Sequence, residues 1–302
     1  MLLKVRRYDA VLIEKEIFPN MPAWMERILS WSGVPYVIDY DDAIFHGYDM
    51  SKNPVKRLLK NKIGVAMRHA CVVTAGNSYL ASHAASARAR HIELVPTAID
   101  LCAYPAESPH PPNERPLIGW IGTPFTVRYL EPLLPVIAKL NKSYGAELVI
   151  VGATVDTEKH PYVRSVPWHE HTEVDEIGKF DIGVMPLPDE PWERGKCGYK
   201  LIQCMACSKP VVASPVGMNV DVVQQGVNGY LARSEQEWFD ALSAMLSDPE
   251  LRREMGRKGR AMVEENYCVQ VTAPRLVQLL KDVASDKRFV AGMERHSNKM
   301  VR

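Results

Sequence analysis

The sequence predicts an α/β protein made of two doubly wound, parallel-sheet units. Three observations carry this. Short apolar runs of strand length recur between segments of helical period, the pattern of strands covered on both faces by helical crossovers. The alternation is interrupted once, at residues 103–116, where five of fourteen residues are proline, and then resumes. The length of 302 residues suits two domains of roughly 150 residues each.

In the first half DAVLIEKE (9–16), VPYVIDYDD (34–42), CVVTAGN (71–77) and HIELVPTAID (91–100) read as strands. MPAWMERILSWSG (21–33), PVKRLLKNKIGVAMRHA (54–70) and SYLASHAASAR (78–88) read as helices, the first stopped at Gly33. After the proline-rich stretch PLIGWIGT (116–123), AELVIVG (146–152), VRSVP (163–167), DIGVMPLP (181–188) and KPVVASPVG (209–217) are strands. Helices are expected over 128–145, 171–180 and 198–208, and a helical stretch over 235–285 in which LSDPELRREMG supplies a cap and an acidic first turn. This gives a first domain at 1–112, a second at 113–285 and a polar tail at 286–302. The first domain shows four strands where a doubly wound unit has about six. It is therefore expected to be incomplete, with further strands encoded upstream of Met1.

Hydrophobic residues make up 46% and charged residues 24%, the balance of a soluble globular protein. The 37 basic and 36 acidic residues nearly cancel, which argues against bulk nucleic-acid binding. No apolar run reaches the roughly 18 residues of a membrane-spanning helix. The first residues carry charges on both sides of a short apolar run, unlike a signal peptide. A cytoplasmic protein with reduced cysteines is expected. Cys204 and Cys207 form a C-x-x-C without the second pair a zinc ribbon needs, and read as small helix residues, with a redox role as the alternative. The nine histidines show no metal-ligand spacing. Neither a G-x-S-x-G elbow nor a G-x-x-x-x-G-K-[ST] loop occurs, which disfavours an α/β hydrolase and a P-loop NTPase.

Several stretches, in order, resemble the family 4 glycosyltransferases. G195-K-C-G-Y-K-L-I-Q-C-M-A-C-S-K-P-V-V-A-S matches the family's G-F-G and L-E-A-M-A-x-G-x-P-V-V-A-S segment. V-V-Q-Q-G-V-N-G-Y-L, D-P-E-L-R-R-E-M-G-R-K-G-R, L-V-P-T-A-I-D and P-Y-V-I-D-Y-D-D match four further signatures. The resemblance spans about residues 9–285. It implies a GT-B fold, two Rossmann-like domains facing across a cleft, and transfer of a sugar from a UDP-, GDP- or ADP-sugar to an acceptor hydroxyl with net retention. It also implies a glycan or lipid-linked acceptor and no bound metal or other cofactor.

A nucleotide-sugar donor brings a ribose diol and a diphosphate, which binds at the carboxyl ends of the strands on helix amides and cations. Gly122 and Thr123 end the strand 116–123 in a turn whose amides suit phosphate. The family places an Arg directly after this glycine and a Lys five residues on. Thr123 and Arg128 hold those places here, so one cation is missing. Lys196, just before Gly198 at the start of the helix 198–208, is expected to restore it, with Lys200 as a second candidate; the alternative for Lys196 is a solvated loop residue. The family's paired glutamates fall on Gly195 and Gln203. Gln203 can still hydrogen-bond a ribose, but the first acid is lost, and Glu193 is its nearest substitute. Trp168, with His169, stands where the family's turn holds the base, a packing role being the alternative.

Asp39, Asp41 and Asp42 crowd one strand end, where like charges repel. The family's H-D pair aligns with Asp41 and Asp42, which are expected to orient an acceptor hydroxyl or take its proton. A cap for the next helix and a metal site are the alternatives. The helix 54–70 carries Lys56, Arg57, Lys60, Lys62 and Arg68 beside apolar residues. It reads either as peripheral contact with the inner membrane face or as an ordinary crossover. Two rival functions remain: an inactive or truncated relative that binds a nucleotide-sugar or partner without turnover, and a sugar-nucleotide epimerase of GT-B architecture.

Overall fold

The computed structural model describes residues 5–106 and 110–285; the tail at 286–302 lies outside them. The chain divides into two compact units. The first takes the described residues up to Thr97, the segment Glu190–Cys197, and the described residues from Thr272 on; the second takes Ala98–Asp189 and Gly198–Val271. Glu190–Cys197 and the chain from Thr272 thus belong to the unit that the sequence assigns to residues 1–112.

The first unit carries β1 (Val11–Glu14), helix α1 (Trp24–Trp31), β2 (Tyr36–Tyr40), α2 (Lys62–His69), β3 (Val72–Ala75), α3 (Ser78–Ser86) and β4 (Ile92–Leu94). Its strands are all parallel and lie in the order β1-β2-β3-β4. Tyr36, Val37, Ile38 and Tyr40 of β2 are wholly buried, as expected of a strand covered on both faces. Asn77 starts α3 by accepting a hydrogen bond from the Leu80 N–H at 2.9 Å.

The helix expected over 54–70 is two pieces. A single turn, Pro54–Arg57, is capped by Asn53 and leaves Val55 and Leu58 exposed; α2 begins only at Lys62. Lys62 turns inward, so the basic face is not continuous. Its ammonium is buried against the Glu16 carboxylate and the Phe18 carbonyl.

The second unit holds β5 (Leu117–Ile121), α4 (Leu134–Tyr144), β6 (Glu147–Val151), β7 (Val163–Val166), α5 (Glu173–Gly178), β8 (Ile182–Met185), α6 (Tyr199–Ala206), β9 (Val211–Ala213), β10 (Gly229–Leu231), α7 (Glu235–Ser247) and α8 (Pro249–Asn266). Its six parallel strands lie in the order β7-β6-β5-β8-β9-β10. The chain therefore starts mid-sheet, builds outward one way, returns and builds the other way, the Rossmann order with its switch point between β5 and β8. Trp120, Ile137, Leu148, Ile150, Ile182 and Val212 are at the centre of its core.

The helical stretch expected over 235–285 is three helices. Asp248 ends α7 and caps α8 by accepting from the N–H groups of Glu250 and Leu251, both at 3.0 Å. The third helix, α9 (Val269–Ser285), begins in the second unit and continues in the first, where Val283 packs with Val37, Cys71 and Val72. No described helix is long and apolar enough to cross a membrane.

Candidate functional site

In the second unit the chemistry gathers at the carboxyl ends of β5, β6 and β7. Gly122 follows β5, and its N–H donates to the Val151 carbonyl at the end of β6. A β-carbon on Gly122 would stand 2.5 Å from both the Lys200 Nζ and the Trp120 ring. Beside it, a β-carbon on Gly152, whose φ is +89°, would stand 2.4 Å from the Gly122 carbonyl oxygen and 3.2 Å from the Trp168 Cβ. Only glycines let these strand ends come so close. Lys200 lies in the first turn of α6, whose N-terminus carries partial positive charge. Its Nζ sits 4.3 Å from the Trp120 ring centroid, a cation–π contact that holds the charge over the turn. Gly198 makes the left-handed entry to α6 with φ +69°. The Thr123 N–H is already used, donating to Thr126 Oγ1 at 3.2 Å. Arg128 lies exposed on the 3-10 turn Val127–Leu133, its guanidinium 5.3 Å from the Tyr129 ring centroid.

One helical turn beyond Lys200 is Gln203, buried at 2% exposure. Its amide nitrogen donates to the Tyr104 hydroxyl at 3.0 Å and to Oε1 of Glu173. Oε2 of Glu173 accepts from the Trp168 indole N–H at 2.5 Å. Burial pushes the Tyr104 hydroxyl well above the ordinary phenol range, so it stays protonated. The structure thus joins Gly122, Lys200, Trp168 and Gln203 of the predicted donor set in one continuous patch.

In the first unit the D-Y-D-D cluster follows β2. Asp39 accepts from the Thr74 hydroxyl at 2.5 Å, and burial holds its carboxyl above the usual carboxylate range despite that bond. Asp41 pairs with the Lys15 ammonium at 3.0 Å. Lys15, directly after β1, has φ +62°, a left-handed conformation rare outside glycine. Burial lowers the Lys15 ammonium, but its bond to Asp41 and the charges of Asp41, Asp42 and Glu14 outweigh it and raise it overall. Burial also raises Asp42; the Lys196 charge opposes this shift and the Asp41 charge adds to it. Lys196 thus acts on Asp42 within this unit. The capping alternative is not realised: the next helical turn, His46–Asp49, has Phe45 at its N-cap and no side-chain cap bond.

The segment Glu190–Cys197 is fastened beside these acids. Asn77 donates its amide to the carbonyls of Arg194 at 3.3 Å and Lys196 at 3.1 Å, and the Cys197 thiol donates to the Asp41 carbonyl at 3.0 Å. Burial pushes that thiol up to about 12, so Cys197 acts as a protonated donor. Gly195 presses on Ala43, and Glu193, in the preceding turn, is 2% exposed. Cys204 and Cys207 are buried with thiols pushed up to about 12 by burial; Cys204 packs on Gly183 of β8.

Sequence reasoning missed Lys15 and Glu173. A signal for Lys15 existed: β1 and β2 are parallel with Glu14 opposite Asp39, so residues just beyond both strands meet at one edge. Glu173 had none, since an acid in a first helical turn is ordinary.

A doubly wound sheet whose switch-point turn, cationic helix start and buried polar network share one end has the architecture of a nucleotide-binding domain. Residues 115–248, within the second unit, match the family model described as Glycosyl transferases group 1. The N-acetyl-alpha-D-glucosaminyl L-malate synthase of Bacillus anthracis is 26% identical over 171 residues, 54% of this chain and 44% of that protein. The alpha-D-kanosaminyltransferase of Streptomyces kanamyceticus is 21% identical over 184 residues, 57% of this chain and 47% of that one. The chain thus spans less than half the length of these relatives. Among solved structures, Anabaena HepE in complex with UDP superposes with a TM-score of 0.74 at 15% identity, covering 93% of this chain and 80% of that one. Sucrose-phosphate synthase from Thermosynechococcus elongatus superposes with a TM-score of 0.69 at 17% identity, covering 92% and 74%. The resemblance to the family 4 glycosyltransferases stands, and the fold is that of the GT-B enzymes.

Proposed function

We propose that the chain is a glycosyltransferase that moves a sugar from a nucleotide-sugar donor to an acceptor hydroxyl, retaining the anomeric configuration and using no bound metal. The observation that carries this is the patch formed by Gly122, Gly152, Lys200, Trp168 and Gln203 at the switch-point end of the second sheet, inside the segment that matches the glycosyltransferase family. The donor diphosphate takes the first-turn amides of α6 and the Lys200 ammonium, with Arg128 and Lys196 as further cations and Gly122, Thr123 and Gly198 shaping the turns around it. Charge develops on the leaving diphosphate, where such groups stabilise the transition state most. Trp168 lies beside the base, and Asp41 and Asp42 on the first unit orient the acceptor hydroxyl. Anabaena HepE is described with UDP and with UDP-glucose, which makes a UDP-sugar the first donor to try.

The acceptor is a glycan or a lipid-linked sugar, with a cytoplasmic location. Val55 and Leu58 are 68% and 83% exposed beside Lys56, Arg57 and Lys60, which suits peripheral contact with an anionic membrane surface. The test is incubation with UDP-, GDP- and ADP-sugars, with and without EDTA, following nucleotide release and saturation binding. Release that survives EDTA supports the proposal; absence of both binding and release overturns it. The tight approach of Gly195 to Ala43 favours a second reading, a relative that binds the donor without turnover. Saturable binding with no release, across glycan and lipid-linked acceptors, is its signature.

A further inference from the structure

We infer that the ribose of the donor is held by Glu173, a carboxylate outside every motif of the sequence, with Gln203 acting as its positioning residue. This rests on the nucleotide-donor proposal above and names the group that reads the sugar of the nucleoside.

The chemistry of Gln203 leads there. An amide nitrogen has two hydrogens. Gln203 gives its nitrogen to Tyr104 and to Glu173, which leaves one carbonyl oxygen as its only acceptor. A ribose offers two vicinal hydroxyl donors. Glu173 accepts one bond on each oxygen, from Gln203 on Oε1 and from the Trp168 indole on Oε2. A carboxylate has about four lone-pair sites, so each oxygen keeps one for a hydroxyl, the arrangement a diol needs. Glu173 is only half-buried, whereas Gln203 lies beneath it. The two donors also fix the carboxylate's plane before any ligand arrives.

Position agrees with chemistry. Lys200 and Gln203 are three apart on α6 and so share a face. Lys200 reaches Gly122 and Gln203 reaches Glu173, while Trp168 touches both Glu173 and the Gly152 turn that packs on Gly122. The cation and the carboxylate are thereby spaced along one helix face in the order of diphosphate and ribose in a nucleoside diphosphate.

Gln203→Glu restores the family residue, and on family grounds it should strengthen nucleotide binding. Here it sets a second negative charge against Glu173, removes the donor that holds it, and should weaken binding.

The experiment is calorimetric titration of the full chain with UDP and 2′-deoxy-UDP, and with the GDP and ADP pairs if UDP does not bind. The wild type is expected to favour the riboside by about ten- to a hundredfold, the worth of a hydrogen bond to a charged group. Glu173→Gln should bring that ratio close to one, weakening the deoxynucleotide less than the riboside, since the deoxynucleotide has only its 3′-hydroxyl on Glu173 to lose and the phosphate contacts are untouched. Gln203→Glu should also lower the ratio, and the exchanged pair Glu173→Gln/Gln203→Glu should recover much of it, with carboxylate and amide in swapped places. A purely structural Glu173 would weaken both ligands equally and leave the ratio fixed, and that result overturns the inference. So does a wild type that binds nucleotides without preferring ribose. Failure of the wild type to bind any of the diphosphates removes the donor proposal itself, and this inference with it.

Discussion

A β-carbon placed on Gly195 would stand 2.4 Å from the Ala43 methyl and 2.7 Å from the Ala43 backbone nitrogen. Real β-carbons do not come so close, and the Ala43 backbone is not free to give. The position where family 4 enzymes carry their first acid is thus pressed against the turn after D-Y-D-D.

Gly195→Glu, which restores the family pattern, is therefore expected to destabilise the protein and not to raise activity. Overpacking against backbone costs about 1–3 kcal/mol. Urea unfolding of the variant checks this, and an unchanged midpoint with improved turnover would refute it.

Lys200→Ala should weaken UDP or GDP binding by about ten- to a hundredfold, the loss of one charge-assisted contact of roughly 1.5–3 kcal/mol. Arg128→Ala, whose side chain is exposed and lies by the Tyr129 ring, should weaken it less. Titration calorimetry at fixed ionic strength orders the two. Equal affinity in wild type and both variants would remove the phosphate assignment.

The pH profile of turnover should report Asp42. Its carboxyl is raised by burial and partly restored by Lys196. If the ionised form orients the acceptor, the rate falls as pH drops through that raised value. Lys196→Ala removes the opposing charge, lifts the carboxyl further, and should move the acidic limb to higher pH. Asp42→Asn should flatten the limb while donor binding persists. A limb that stays in place in both variants would exclude Asp42.

Lys62→Met should cost about 3–5 kcal/mol of stability, because it strands the Glu16 carboxylate in a largely buried site. Adding Glu16→Gln should recover much of this, since the remaining group is neutral. Chemical denaturation of the single and double variants gives the comparison; a harmless single change would show that the pair carries no net stability.

The second unit was largely legible in the sequence because its strands are continuous apolar runs and its turns are marked by glycine. Gly122 follows a strand, and Lys200 and Gln203 lie on a helix, as the sequence pattern predicts. What escaped notice depends on contacts between distant segments. Lys62 looked like one more charge on a basic helix, and only the approach of Glu16 and the Phe18 carbonyl turns it inward. Lys196 followed a helix-start pattern, yet its charge acts on Asp42, and Asn77 and Cys197 pin its segment beside Asp41. The pairing of Glu173 with Gln203 joins residues thirty positions apart, and no periodicity announces it.

The division of the chain between the units bears on how the protein is made. The first sheet is threaded early, but part of its cover is Val283 of α9, which packs on Val37 and Val72. During synthesis the strands of that sheet leave the ribosome long before the helix that shields them, and the second unit must be translated in between. Domains usually fold as they emerge; here the earlier one is left waiting with apolar side chains uncovered. The same routing means that a protease cut in the proline-rich stretch near residue 105 falls inside the second unit and leaves all four crossings between the units, at 97/98, 189/190, 197/198 and 271/272, in place. The nicked halves should therefore stay associated under native conditions and part only in denaturant.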